Sequence, residues 1–213
     1  MLFALILTVV LAGDSTMVGT VSNHVPIKPK IAYNRPEVVL ADLLTRLPDG
    51  HRYKNAQVVN MAIGGTSSRD WGSYVQGYFC SLSQSIPLVH MACQLNLTLA
   101  EAIAPTLGYV PAIMLMTIGT NDAIWGVTLE ESVANVEALE TEIIPAVLLL
   151  APPFVAAPGS GNPLLAAQER VLGLITGPDF GSLPLPLSDT VHLTDGGYVA
   201  AMGMWFDKLI GVP

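Results

Sequence analysis

The sequence has little charge, and basic residues are especially few. Only 12% of its 213 residues are charged, and nine lysines and arginines stand against seventeen acidic residues, for a net charge of −8. Average soluble domains carry about 25% charged residues. Nucleic-acid binding requires clustered basic side chains, so no nucleic-acid partner is expected. The apolar content of 51% likewise excludes an intrinsically disordered chain.

A long apolar run is also missing, although a membrane-spanning helix needs about 20 such residues. The longest candidates are residues 1–12, which end at Gly13, and residues 143–158, which prolines interrupt. We therefore expect no stable membrane insertion. The first run could be read as a secretory signal cleaved after Ala12, but it has no basic start. We expect residues 5–12 to form the first strand instead, which leaves the cellular compartment open.

Cysteine and histidine are scarce, with two and four residues respectively. No pair of them has the spacing of a zinc site, so no metal is expected. Cys80 and Cys93 could form a disulfide or remain two buried thiols, and the sequence leaves both possibilities open. A chain of this length needs neither a metal nor a disulfide to bury a core, and we expect a single domain over residues 1–213.

Buried strands alternating with helices are what the sequence does contain. Apolar runs bounded by turn residues predict four strands, over residues 5–12, 57–63, 112–118 and 146–151. Helices are predicted over residues 37–46, about 71–80, 98–104, 128–142, 162–174 and 195–210, and a proline-rich surface loop over residues 18–35. This alternation predicts an α/β fold, a three-layer α/β/α sandwich around a parallel sheet.

Four blocks of glycine and polar residues follow these strands or precede the last helix. They are Gly13–Ser15, Asn60–Gly65, Gly119–Asp122 and Asp189–His192. In open parallel sheets the ligand lies outside the carboxyl ends of the strands. We therefore expect the blocks to meet at one edge of the sheet.

In this order the blocks resemble the SGNH hydrolases, the GDSL esterase and lipase superfamily. The four letters correspond to Ser15, Gly65, Asn121 and His192, and the resemblance spans residues 13–192. A single Gly-Asp-Ser match would mean little, whereas four ordered blocks are specific. The resemblance implies a flavodoxin-like parallel sheet of about five strands, and ester or thioester hydrolysis without a metal or organic cofactor.

The residues themselves suggest the catalytic roles. A serine hydroxyl needs an adjacent base to become a nucleophile, and His192 could take the proton of Ser15 as it attacks the acyl carbon. Asp189, three residues before the histidine, could reach its Nδ1 and orient the ring.

The oxyanion formed by this attack needs preorganised donors. The backbone N–H groups of Ser15 and Gly65 and the side-chain amide of Asn121 are expected to supply them. Gly64 is the competing choice for the glycine donor.

Other polar residues near the blocks are expected to have structural roles. Asp14 and Asp122 should hold loop backbone, and Asn60 should brace its own loop. Asp195 could orient the catalytic histidine, but an N-cap or first-turn position on the last helix explains it better. His90 lies in an apolar stretch and is expected to be buried.

Two departures from the family pattern bear on the substrate. Thr16 and Met17 follow the serine, where many members have leucine. This Thr-Met ending is similar to the one in members that deacetylate plant polysaccharides. Residues 66–108 form an insertion-like segment expected to shape the pocket, and Trp125 is placed to line it.

We therefore expect a serine esterase acting on a small-molecule ester. Short acyl chains are favoured because the sequence shows neither an extended apolar lid nor a membrane-docking helix. The alternatives are a carbohydrate acetylesterase and, less favoured, a non-catalytic binding module that retains the fold. The sequence does not determine the oligomeric state.

Overall fold

The computed structural model describes residues 7–22, 30–82, 86–107, 112–122, 124–142, 147–151, 177–178, 180, 188 and 191–211. Its strands are β1 (Thr8–Gly13), β2 (Thr20–Ser22), β3 (Lys30–Ile31), β4 (Gln57–Asn60), β5 (Ala112–Thr117) and β6 (Val147–Ala151). Its helices are α1 (Ser15–Val18), α2 (Pro36–Thr45), α3 (Ser68–Gly72), α4 (Gly77–Leu82), α5 (Pro87–Leu95), α6 (Leu99–Leu107), α7 (Leu129–Glu142) and α8 (Asp195–Ile210).

The main sheet is parallel, with the strand order β4-β1-β5-β6. Thr8 is in register with Gln57 of β4 and with Ala112 of β5, so β1 has a partner on both sides. All four predicted strands are present. The described part of the chain has four parallel strands where the family resemblance implied about five.

The sheet is covered by helices on both faces, which confirms the three-layer α/β/α sandwich. Side chains of β1 alternate between two hydrophobic cores because successive residues of a strand point to opposite faces. Val9 and Leu11 pack in one core with buried side chains of α2 and α8. Val10 and Ala12 pack in the other core with buried side chains of α3, α5, α6 and α7. This double burial explains why so much of the sequence is apolar.

Strand β1 confirms the expected strand from Thr8 onward, whereas residues 1–6 lie outside the described ones. Among the described residues, no helix is long and apolar enough to cross a membrane. The helix predicted over residues 162–174 also lies outside the described part of the chain.

The prediction of one loop over residues 18–35 was wrong at both ends of that segment. Strands β2 and β3 form an antiparallel pair in which Thr20 is in register with Ile31. The amide of Ala32 donates to the carbonyl of Gly19 at 2.7 Å and extends the pairing.

The single helix predicted near residues 71–80 was also wrong, because two short helices, α3 and α4, occupy that stretch. The Asp70 carboxylate closes a capping box with Ser67, and its other oxygen accepts from the backbone N–H of Gln76 at 2.9 Å. This second bond draws the chain back toward the start of α3, so the helix ends at Gly72.

Helix α5 was not predicted, and it corrects the expectation for His90. Val89 and Ala92 face the core, whereas His90 lies on the exposed side of the same helix. A disulfide between Cys80 and Cys93 joins α4 to α5, which resolves the question that the cysteine spacing left open.

Candidate active site

The carboxyl end of β1 turns sharply because Gly13 has no side chain. Its φ of +119° is rare for other residues, and a Cβ there would lie 1.8 Å from the carbonyl oxygen of Thr117 on β5. The next residue, Asp14, caps α1 by accepting from the Thr16 amide at 2.9 Å and from the Thr16 hydroxyl at 2.7 Å. Ser15 is therefore the first residue of a short helix at the edge of the sheet.

Ser15 and His192 are brought together from opposite ends of the described chain. The Ser15 Oγ lies 3.0 Å from His192 Nε2, so the hydroxyl can donate a hydrogen bond to the ring nitrogen. Both residues are buried, with exposed fractions of 7% and 3%. The amide and the hydroxyl of Ser188 both donate to the His192 carbonyl, at 2.8 and 3.0 Å, and hold the backbone of the histidine. Asp189 lies outside the described residues.

A turn with glycine at its two central positions lies beside the serine. The amide of Thr66 donates to the carbonyl of Ile63 at 3.4 Å, and Gly65 has a φ of +85°. A Cβ added to Gly64 would lie 3.7 Å from the Cβ of Ser15, so the turn approaches the serine directly. The Thr66 hydroxyl donates to the Ile63 carbonyl at 2.8 Å and tightens the same turn.

Asn121 lies in the loop after β5 and faces the glycine turn. Its side-chain Nδ2 donates to the Thr66 carbonyl at 3.0 Å, and the second hydrogen on that nitrogen remains for another acceptor. The following residue, Asp122, is fully buried and holds the loop against two helices. It accepts from the amide of Ser68 at 2.8 Å, from the Ser68 hydroxyl at 2.9 Å and from the Ser132 hydroxyl.

The two buried carboxylates beside the site have shifted pKa values. Burial raises the pKa of Asp14 above the ordinary value of a carboxyl group, and hydrogen bonds from Thr16 oppose the shift. Burial also raises the pKa of Asp122, against the opposing hydrogen bonds of Ser132 and Ser68, and the charge of Asp14 adds to the increase. The structure thus gives both residues the bracing contacts expected of them.

Trp125 is half-buried and contacts the glycine turn through its ring nitrogen. Its indole N–H donates to the carbonyl of Gly65 at 2.7 Å. The rings of Tyr78 and Phe79 lie 5.4 and 5.7 Å from the indole, so the three form an aromatic cluster beside the turn. Tyr78 is 56% exposed, which leaves one side of this cluster open to solvent.

The remaining candidates have structural contacts. The Asn60 side chain donates to the Met17 carbonyl at 3.0 Å and accepts from the Ala62 amide at 3.1 Å, so it braces its loop as expected. Thr194 caps α8 by accepting from the Gly197 amide, and Asp195 stands in the first turn of that helix. The Asp195 carboxylate accepts from the amides of residues 33 and 34, which ties a distant loop to the helix.

Several residues that support the site were not predicted from the sequence. The indole of Trp71 donates to the Thr66 hydroxyl at 3.0 Å, and Arg69 pairs with Glu131 at 2.5 and 2.7 Å to join α3 to α7. The Ser67-x-x-Asp70 pattern of a capping box could have indicated the start of α3. Within the described ranges, no group of three or more histidine, cysteine or acidic side chains could hold a metal ion.

Comparison with known proteins gives one family match and several structural neighbours. The model of the family GDSL-like Lipase/Acylhydrolase matches residues 9–163. No curated protein matches the chain. The native aryl esterase of M. smegmatis is 17% identical with a TM-score of 0.64, and the match covers 95% of this chain and 97% of that one.

Two further neighbours are named as carbohydrate-directed esterases. A carbohydrate acetylesterase family member from Sinorhizobium meliloti is 17% identical with a TM-score of 0.60, covering 95% of this chain and 96% of its own. A catalytic mutant of an acetylxylan esterase from Geobacillus stearothermophilus is 16% identical with a TM-score of 0.58, covering 97% and 94%. Identities this low show a shared fold and nothing finer.

Proposed function

The chain belongs to the family of GDSL-like lipases and acylhydrolases and is a carboxylic ester hydrolase, and we propose that it hydrolyses short-chain esters through an acyl-Ser15 intermediate. The observation that best supports this proposal is the 3.0 Å separation between Ser15 Oγ and His192 Nε2. A buried serine hydroxyl with an imidazole nitrogen in hydrogen-bond reach is the arrangement that nucleophilic catalysis needs. Short acyl groups are proposed because the sequence shows neither an extended apolar lid nor a membrane-docking helix.

In the proposed mechanism, His192 moves one proton in each half of the reaction. Its Nε2 takes the hydroxyl proton as Ser15 Oγ bonds to the acyl carbon, and it returns that proton to the leaving alcohol as the ester C–O bond breaks. A water molecule then attacks the acyl carbon while His192 accepts one of its protons. The bond between that carbon and Ser15 Oγ breaks, Oγ takes the proton back from His192, and the carboxylic acid leaves. We assign Asp189 the role of holding the ring through Nδ1.

The proposed oxyanion hole consists of the backbone N–H groups of Ser15 and Gly65 and the side-chain amide of Asn121. Support comes from the close approach of the glycine turn to Ser15 and from the second Nδ2 hydrogen of Asn121. These donors stand ready before the reaction and need no reorganisation when the negative charge develops. Each is expected to contribute about 3–4 kcal/mol to stabilising the transition state.

A carbohydrate acetylesterase is the second candidate. The structural neighbours include carbohydrate acetylesterases and an acetylxylan esterase, of which a serine variant and an aspartate variant are both named catalytic mutants. In this chain, Trp125 and the exposed Tyr78 offer aromatic faces beside the glycine turn. We propose Trp125 as a residue that also lines the substrate site, where its ring could contact either an aryl group or a sugar.

A fluorophosphonate probe tests the nucleophile directly. The wild-type protein should gain one adduct at Ser15, and Ser15→Ala should lose both the adduct and the hydrolysis of p-nitrophenyl acetate. His192→Ala should be equally inactive, whereas Ser73→Ala, at an exposed serine, should match the wild type. A wild-type protein that takes up no probe would instead support the non-catalytic binding module.

The assignment of Asp189 needs its own test, with Asp195 as the matched control. We expect Asp189→Asn to lower kcat by about 10³–10⁴-fold, because the ring would lose its orientation and tautomer. Asp195→Asn should keep most of the activity, since its carboxylate holds backbone amides elsewhere. The opposite result would assign the orienting role to Asp195.

Two further measurements address the oxyanion hole and the substrate. Asn121→Ala should lower kcat by about 100-fold or more, and a change confined to KM would contradict an oxyanion role. A panel of esters from acetyl to octanoyl, with acetylated xylan and pectin alongside, separates the two candidate functions. Preference for the polysaccharides over simple acetate esters would favour the second.

A further inference from the structure

We propose that Trp125 is a positioning residue for the oxyanion hole: its indole N–H fixes the Gly65 turn, and helix α4 holds the indole in place. This inference rests on the proposed function, because it concerns how the donors of that site are held. It gives Trp125 a second role, in addition to the substrate contact proposed above. The contacts that support it come from three segments, the glycine turn, the loop after β5 and helix α4.

The donor proposed in the glycine turn belongs to a peptide that needs external support. Gly64 and Gly65 are the two central residues of the turn, and the peptide between them carries the Gly65 N–H. Turns of types I and II differ by a flip of that central peptide, which reverses its N–H and C=O. Gly65 adopts the form with a positive φ, +85°, and it has no side chain to anchor the turn, so contacts from outside the turn must hold it beside Ser15.

The loop after β5 supplies those contacts at two successive carbonyls. The Trp125 indole holds the Gly65 carbonyl at 2.7 Å, and the Asn121 amide holds the Thr66 carbonyl at 3.0 Å. The two residues are also linked through the backbone, because the Trp125 backbone amide donates to the Asn121 backbone carbonyl at 3.1 Å. This closed set of bonds fixes the separation between the Gly65 and Asn121 donors, which lie in the loops after β4 and β5.

Helix α4 holds the other side of the indole. Tyr78 and Phe79 pack against Trp125, and the adjacent Cys80 is bonded to Cys93 of α5. Phe79 also lies under the turn itself, since a Cβ on Gly65 would be 3.7 Å from its ring. A half-buried side chain clamped in this way keeps one orientation without contributing an atom to the reaction.

Trp125→Phe tests the inference because it removes the indole N–H and keeps an aromatic ring. Loss of one hydrogen bond of ordinary strength should lower kcat about tenfold, with KM changed less than about twofold. The decrease should be the same for acetyl and butyryl p-nitrophenyl esters. The rate constant for fluorophosphonate labelling should fall in parallel, because the phosphoryl oxygen would use the same donors.

A tryptophan analogue in which sulfur replaces the ring N–H, placed at position 125, provides a second variant of nearly unchanged shape. It should show the same loss of kcat, even if Trp125→Phe folds poorly. Tyr33→Phe is the matched control, because it removes the polar group of an aromatic ring at a residue that is 91% exposed and leaves the bond to Gly65 intact. We expect that variant to keep the wild-type kcat and KM.

The results separate this inference from the proposed function. An active, labelled wild type whose two position-125 variants keep the wild-type kcat and labelling rate would overturn the positioning role alone. A rise in KM that depends on acyl size, with kcat unchanged, would leave Trp125 as a substrate contact alone and would also overturn the positioning role. A wild type that takes up no fluorophosphonate would overturn both proposals.

Discussion

Asparagine and alanine at position 122 should have very different effects on stability. The Asp122 carboxylate accepts from the Ser68 amide at 2.8 Å, from the Ser68 hydroxyl at 2.9 Å and from the Ser132 hydroxyl. Asparagine retains an acceptor for the backbone amide, and its NH₂ can donate to the two hydroxyls once they rotate. Alanine removes the acceptor from all three donors, and the backbone amide cannot turn to find another.

The size of the destabilisation follows from the number of hydrogen-bond donors that each variant leaves without an acceptor. Each buried donor without an acceptor costs about 1–3 kcal/mol, and the two hydroxyls can recover part of the loss by rotating. Asp122→Ala should therefore lower the free energy of unfolding by about 3–5 kcal/mol, which is large for a single substitution. Asp122→Asn should change it by no more than about 1 kcal/mol at neutral pH.

The pH dependence of the same pair of variants has a definite sign. Burial raises the pKa of Asp122, so the folded state holds the proton more tightly than the unfolded state. The contribution of this group is complete below the unfolded pKa of about 4 and is lost as the pH rises through the folded pKa. Asp122→Asn removes that loss, so its stability should improve relative to the wild type as the pH rises. Because the pKa of Asp14 is also raised, the free energy of unfolding of Asp122→Asn should still depend on pH, but less steeply than that of the wild type.

Urea unfolding at several pH values between about 4 and 8 measures both effects. Asp207→Asn, at an exposed position on α8, controls for the loss of one negative charge. Two results would refute the reasoning. One is an Asp122→Asn variant as unstable as Asp122→Ala at neutral pH, and the other is an Asp122→Asn variant whose pH slope matches that of the wild type.

Three other predictions concern the framework around the site. Gly13→Ala should destabilise the fold by more than about 4 kcal/mol, measured by urea unfolding, because its Cβ would meet a carbonyl of β5 at 1.8 Å. The Arg69 hydrogen bond lowers the pKa of Glu131, so Glu131→Gln should cost about 0.5–1 kcal/mol at neutral pH and less once the pH falls through the folded pKa. Replacing Cys80 and Cys93 by serine should lower the free energy of unfolding by about 3 kcal/mol.

Each of these predictions has a control within the chain. Gly77→Ala should be tolerated, since a Cβ there meets nothing within 4 Å, and an equal effect at both glycines would contradict the close approach at Gly13. Glu137→Gln, exposed on the same helix as Glu131, should change the free energy of unfolding by no more than about 0.5 kcal/mol. Reduced wild-type protein should match the double serine variant, and thiols titratable in the unreduced protein would argue against the disulfide.

Local patterns were sufficient to predict the sheet and the position of its site. Buried runs such as Val9–Ala12 and the motif around Asn121 depend on short-range features, namely apolar residues in a row and polar residues at a strand end. The pairing of Ser15 with His192 was expected from the resemblance of the four ordered motifs to the SGNH hydrolases. Those predictions needed no knowledge of which side chains touch.

What the sequence could not predict depends on contacts between distant segments. The Asp70 bond to Gln76 divides a stretch whose apolar pattern favoured a single helix. The bond from Trp125 to Gly65 joins residues 60 positions apart, and nothing in either local pattern indicates it. His90 was misplaced because an apolar neighbourhood in sequence does not show which face of a helix meets the core.

The long separation of the reacting pair has a consequence for folding. Ser15 and His192 are 177 positions apart, and the strand that presents the serine has no neighbour in the main sheet until residues 57–60 and 112–117 are in place. Contacts between such distant positions slow folding because long loops must close first. Recovery of esterase activity should therefore be among the last events of refolding. Recovered activity would therefore indicate a completed fold more reliably than a spectroscopic signal of helix formation.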